Sequence, residues 1–166
     1  MPQIRRTGAD DVEKVAALVD GSWRRTYAPL MGDGRVASAS AARHRPEQFL
    51  REIASPRVAS FVAVDAQSRI VGHAMAEMMA DGEVRLERLH LDPVHFGSGL
   101  AADLLHATIA AFTGEGNVMS LEVLEGNERA ISFYRRQGFD IVERRGACGG
   151  IEGLPTLLMA RPLPSA

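Results

Sequence analysis

Apolar positions along this chain recur at two spacings, and the switches between them mark out the elements. Val12, Val15, Ala16, Leu18 and Val19 fall at helical intervals behind Asp10 and Asp11, either of which can cap, so a helix is predicted from there to about Tyr27. Pro29, Gly32 and Gly34 interrupt the pattern, and a second helix is predicted over residues 47–53, stopped by Pro56. Residues 3–6, 58–64, 70–79 and 83–91 are β-rich, with turn residues at 65–69 and at Asp81 and Gly82. They read as one short strand followed by three antiparallel strands in a row.

Beyond Asp92 and Pro93 the chain turns through Gly97 and Gly99 into a helix with Leu100, Leu104, Leu105 and Ile109 on one face. A strand at 118–124, a helix at 127–137 closed by Gly138, and strands at 139–145 and 154–160 complete the order β-α-α-β-β-β-α-β-α-β-β. That order predicts a mixed α/β sheet with helices on its faces. No repeat or long linker divides residues 1–166, so a single domain is expected.

Composition narrows the function classes. A hydrophobic fraction of 46% is that of a globular protein, and a net charge of −2 argues against a general nucleic-acid binder. No apolar run is long enough to span a bilayer, the first eight residues are too polar for a signal peptide, and a lone cysteine excludes a disulfide framework; a cytoplasmic protein is expected. The five histidines show no metal-ligand spacing, so no metal is expected.

The segment His95-Phe96-Gly97-Ser98-Gly99-Leu100-Ala101 leads from strand to turn to helix. Small residues let backbone approach an anion, and the N–H groups of a first helical turn have no partner within the helix, so such a turn can hold a pyrophosphate. Gly97 and Gly99 are equally what a tight turn needs for itself. The Lys-Ser/Thr ending of a nucleotide-hydrolysing loop is missing, and so is the acidic residue that follows a dinucleotide fingerprint.

A second constellation follows one strand later. Asn127 can cap the helix that carries Ala130, Ile131, Phe133 and Tyr134, and Gly138-Phe139 ends it. With both constellations in this order, nearly the whole chain resembles the GNAT superfamily of acyl-CoA N-acyltransferases. Phe96 to Ala101 is similar to the family's Gln/Arg-x-x-Gly-x-Gly/Ala signature, with Phe96 in place of the usual Gln or Arg, and Asn127-x-x-Ala130-x-x-x-Tyr134-x-x-x-Gly138-Phe139 is similar to its second.

The resemblance implies a mostly antiparallel sheet of about seven strands with a splay between the central ones. It also implies acetyl-CoA as co-substrate, held by Leu89 and Leu91, by Phe96, Gly97, Ser98, Gly99, Leu100 and Ala101, and by Asn127, Ala130 and Tyr134. Direct attack by a primary amine is expected, with Tyr134 as general acid to the departing thiolate and Glu87 as base, Glu83 being second choice. Many members carry the glutamate two residues before Glu87, where this chain has Arg85, and an ordinary ion pair of Glu87 with Arg85 or Arg88 is the competing reading. The acceptor expected is a small-molecule amine or a peptide N-terminus, and a homodimer is compatible with the resemblance. A non-catalytic acyl-CoA-binding module of the same fold is the alternative.

Other residues carry weaker signals. His95 can contact the cofactor or simply complete its loop. Trp23 and Tyr27 line the acceptor pocket by analogy with the family, or pack the first helix. Met75, Met78 and Met79 suit a core or a pocket wall. Cys148, in the run Gly146 to Gly150, has no base near it in sequence to make a nucleophile.

Overall fold

The computed structural model describes residues 1–148 and 151–166, with backbone alone at 147–148 and 151–153. Seven strands, β1 (Gln3–Arg6), β2 (Val58–Val64), β3 (Ile70–Met78), β4 (Glu83–Leu91), β5 (Val118–Leu124), β6 (Asp140–Cys148) and β7 (Ile151–Pro162), form one sheet in the order β1-β2-β3-β4-β5-β7-β6. Five helices accompany them: α1 (Val12–Met31), α2 (Asp33–Arg43), α3 (Pro46–Ala54), α4 (Leu100–Ala110) and α5 (Glu128–Arg136). Contacts divide the chain into two compact units. One holds Met1–Ala76 with Arg88–Thr108, the other Glu77–Glu87 with Ile109–Ala166.

In the first unit β2 shows why its sequence is apolar almost throughout. Phe61 and Ala63 pack with Val71, Ala74 and Leu91 against Leu100 and Leu104 of α4. Val62 and Val64 pack on the other side with Val12, Val15 and Val19 of α1 and Phe49 of α3. A period of two thus feeds two cores, one on each face. Gly72 is needed for close approach, because a Cβ there would stand 2.8 Å from the Leu104 side chain. The turn into β3 is closed by the Asp65 N–H donating to the Arg69 carbonyl at 2.9 Å, while Asp65 Oδ1 accepts from the N–H groups of Gln67 and Arg69.

In the second unit β4 and β5 run parallel, and their ladder covers Glu83–Arg85 against Val118–Ser120, the first three residues of each strand. There the two strands part, which is the splay expected between the central strands. β5 pairs antiparallel with β7 along its whole length, from Val118↔Pro162 to Leu124↔Thr156, and β7 pairs with β6. Asn127 caps α5 as predicted, its side-chain oxygen accepting from the Ala130 N–H at 3.3 Å, and Gly138 ends that helix with φ 87°.

Three expectations are corrected. α1 does not end near Tyr27 but runs to Met31, through Pro29. The proline ring fixes a φ suited to a helix and removes one donor, and the Gly32 N–H closes the last turn on the Ala28 carbonyl at 2.9 Å. The stretch from Gly32 to Arg43, read as a break, is largely helix α2, which buries just Val36 and Ser40 and so shows little apolar periodicity. Finally, β6 and β7 extend beyond residues 139–145 and 154–160, placing Gly146, Ala147 and Cys148 in strand, whereas Gly149 and Gly150 of the supposed loop lie outside the described residues.

Candidate functional site

The segment after β4 is held in shape from within. Asp92 caps a short 3-10 turn, Pro93–His95, its Oδ1 accepting from the Val94 N–H at 3.1 Å. The Phe96 N–H then donates to the Pro93 carbonyl at 3.0 Å, and the Ser98 N–H to the His95 carbonyl at 3.2 Å. Ser98 Oγ donates to the same carbonyl at 2.7 Å and accepts from the Leu100 N–H at 3.3 Å.

The consequence is an alternation. The N–H groups of Phe96, Ser98 and Leu100 are engaged inside the turn, while those of Gly97, Gly99 and Ala101 have no partner among the described backbone hydrogen bonds. Gly97 and Gly99 adopt φ of 77° and 90°, and a Cβ at either would meet nothing within 4 Å. Glycine is required there for backbone conformation, not for room. The outcome is three amides without a described backbone partner at the start of an eleven-residue helix, where an anion also meets the positive end of the helix dipole. These groups fit a pyrophosphate. Phe96, 44% exposed, stands at the mouth of the turn.

Upstream, the β4 residues of the first unit alternate between faces. Leu89 and Leu91 join the core beneath α4. Arg88 and His90 point the other way. Arg88 is 9% exposed and makes a two-pronged pair with Glu52 of α3, at 2.6 and 2.9 Å, while its guanidinium lies 4.3 Å from the Phe49 ring centroid. His90 Nδ1 is 2.8 Å from Ser22 Oγ of α1.

Around this pair lies an aromatic wall: Trp23 is 4.7 Å from Tyr27 and 4.9 Å from His44, between ring centroids. Desolvation, reinforced by the Arg88 charge, lowers His44 to about 4 and His73 and His90 to about 3. All three are neutral at physiological pH. His73 is fully buried, with Nδ1 3.1 Å from the Phe61 carbonyl and no partner at Nε2 among the described residues. His73 and His90 therefore serve packing, whereas His106 is exposed.

In the second unit, Tyr134 is half-buried on α5, its ring 5.2 Å from Phe133 and 5.6 Å from Phe139. Burial pushes its phenol well above the ordinary tyrosine value, so it carries its proton at any physiological pH. Asn127, at the head of the same helix, uses its side-chain oxygen for the cap, which leaves its amide nitrogen as a donor. Glu83 accepts a short hydrogen bond from Ser120 Oγ and lies 4.0 Å from Arg85. Glu87 is exposed on β4.

Sequence reasoning did not reach the Arg88–Glu52 pair, whose members are 36 residues apart, nor the role of Ser98 in selecting which amides face outward. Among the described residues no group of three His, Cys, Asp or Glu could hold a metal ion, and no helix is long and apolar enough to cross a membrane.

Comparison with known proteins agrees with this geometry. The family model described as Acetyltransferase (GNAT) family matches residues 23–139. An uncharacterized N-acetyltransferase of Mycobacterium tuberculosis is 32% identical over 132 residues, covering 79% of this chain and 84% of that protein. A spermidine N(1)-acetyltransferase of Thermoplasma acidophilum is 24% identical over 149 residues, covering 87% and 92%. The crystal structure of a PaiA N-acetyltransferase from Thermoplasma acidophilum, in complex with coenzyme A, superposes with a TM-score of 0.82 at 22% identity, covering 98% of this chain and 99% of that one. The chain belongs to the acetyltransferase (GNAT) family and is an acyl-CoA-dependent N-acetyltransferase, moving an acetyl group from acetyl-CoA to an amine.

Proposed function

We propose that the protein acetylates a primary amine by direct attack on the thioester, with residues 1–166 acting as one catalytic domain. The observation that carries the donor side is the alternation in the turn: the outward amides of Gly97, Gly99 and Ala101 hold the pyrophosphate, with Ser98 and Leu100 shaping the turn and Phe96 flanking it. The backbone of Leu89 and Leu91 receives the pantetheine arm in the manner of an added strand. Asn127 donates its side-chain amide to the cofactor, and Ala130, whose N–H is engaged by that side chain, contributes a small surface.

Acetyl-CoA supplies the activated acyl group and a thiolate leaving group. Tyr134, protonated in its aromatic surroundings, donates its O–H proton to that thiolate. Glu87 takes the proton of the attacking amine, directly or through a water. Glu83 is second choice, and its carboxylate is already engaged by Ser120.

The acceptor is a small amine or a peptide N-terminus, the two classes represented among the relatives by the spermidine enzyme and by the N-alpha-acetyltransferase RimI of Mycobacterium tuberculosis, 29% identical over 119 residues. The reaction belongs in the cytoplasm, and pairing at the β6 edge offers a homodimer. Thiol release from acetyl-CoA with a panel comprising spermidine, small primary amines and N-terminal peptides tests the reading. Turnover on at least one class is expected, and coenzyme A binding without turnover on any would overturn it.

A further inference from the structure

The first unit contains a groove of about 480 Å³ between α1, the turn into β3 and the exit of β4. Lys14, Leu18, Gly21 and Arg25 line it from α1 at helical spacing, so they share one face, and Arg69 and Asp92 stand on the other side. Its charge is lopsided. Lys14 and Arg25 are exposed, and their side chains make no hydrogen bond or ion pair among the described residues. Arg69 is tied to Asp65 at 2.7 Å, and Asp92 to the Val94 N–H at 3.1 Å. Two cations without a hydrogen bond or ion pair of their own, one of them the chain's single lysine, which also lies in the field of Asp11, thus share a groove in a protein of net charge −2.

Gly21 adds an independent observation. Glycine inside a helix costs about 1 kcal/mol relative to alanine, and Gly21 has none of the positive φ that would require it. A Cβ there would sit 3.4 Å from Arg25 Nη1. The guanidinium therefore lies over the bare backbone of Gly21, one turn back along α1 and nearer Lys14. What remains between them is about 10 Å of helix at 1.5 Å per residue.

We propose that this groove binds an organic phosphate, with the phosphoryl group on the Arg25 guanidinium above Gly21 and Lys14 as the second cation. A planar guanidinium offers two parallel N–H donors to phosphate oxygens, and a lysine adds a flexible point charge. The proposal is independent of the acetyl-transfer assignments. The phosphate can come from a free metabolite or from the phosphomonoester of coenzyme A, and the experiment separates these.

Isothermal titration calorimetry on wild type, Lys14→Gln/Arg25→Gln and Gly21→Ala would use coenzyme A, dephospho-coenzyme A, and adenosine 3′,5′-bisphosphate added to protein saturated with dephospho-coenzyme A. Saturable binding of a phosphomonoester to wild type is expected, at least tenfold weaker in the double variant, with dephospho-coenzyme A affinity unchanged. A loss for the bisphosphate alone assigns the groove to a free phosphate, and a loss for coenzyme A assigns it to the cofactor. Gly21→Ala should weaken the same ligand several-fold while raising Tm, a combination that general destabilisation cannot produce. Equal affinity of the double variant and wild type for both phosphomonoesters, or no saturable phosphomonoester binding to wild type, overturns the proposal.

Discussion

With its phenol pushed above the ordinary range by burial among Phe133 and Phe139, Tyr134 keeps its proton wherever the enzyme works. Two outcomes follow for it. Tyr134→Phe should lower kcat at least tenfold while leaving the Kd for coenzyme A within about twofold, because on the proposed mechanism the lost group acts on the departing thiolate. The kcat profile of the wild type should also show no alkaline fall from this residue below about pH 10, read from rates at constant ionic strength. The buried histidines act on stability instead. His73 and His90 are lowered to about 3 and His44 to about 4, so at pH 7 both folded and unfolded forms are neutral and stability is complete. As pH falls below the unfolded value near 6.5, the unfolded chain takes up protons that the native state refuses. Stability then declines until the folded values are passed. For fully buried His73 alone the loss is on the order of 2 kcal/mol at pH 5, measurable by urea unfolding at pH 7.5 and pH 5. Tyr134 was legible in the sequence because its spacing from Asn127 and Gly138 is local. The environment that holds its proton was not, since it depends on which rings the fold gathers.

Between residues and molecule stand two junctions that fix the site. Gly99→Ala places a Cβ at φ 90° with nothing nearby to clash, so its effect is conformational. About 1–2 kcal/mol of strain should either lower Tm or move the amide away, and the KM for acetyl-CoA should rise several-fold. The Arg88–Glu52 pair ties β4 to α3. Glu52→Ala leaves a buried, uncompensated guanidinium over Phe49 and should cost about 3–5 kcal/mol in urea unfolding. Elements with a strong period are readable from the order of residues alone. β2 is a nearly continuous apolar run because it faces two cores, and α5 carries its own cap and stop. α2 was not readable, because it buries so little that Gly32 and Gly34 dominated its pattern. The full length of α1 was hidden by Pro29, whose ring tolerates the helix that its missing N–H weakens. Within the turn, the glycines suggest an anion site, but which amides stay unbonded depends on hydrogen bonds by Ser98 and Pro93 that spacing does not reveal.

For the whole molecule, coenzyme A binding to the folded chain alone adds about 2.7 kcal/mol at a hundredfold excess over Kd. For a chain of this size Tm should rise by roughly 5–10 °C, as followed by scanning calorimetry. The two compact units divide at Ala76 and Glu77 and again within β4 and α4, boundaries that no linker in the sequence announces. The exposed ring of Phe96, where the family pattern has Gln or Arg, has a further consequence for how the molecule responds to its solution. On the proposed reading the turn grips pyrophosphate through backbone dipoles, without the side-chain cation that an Arg in place of Phe96 would offer to screening, and the chain as a whole is slightly acidic. Dephospho-coenzyme A should therefore bind with nearly the same Kd, within about threefold, from 50 to 500 mM salt. Phe96→Arg should tighten binding in dilute buffer and make it salt-sensitive. The native turn would then hold its donor equally well as ionic strength rises and falls.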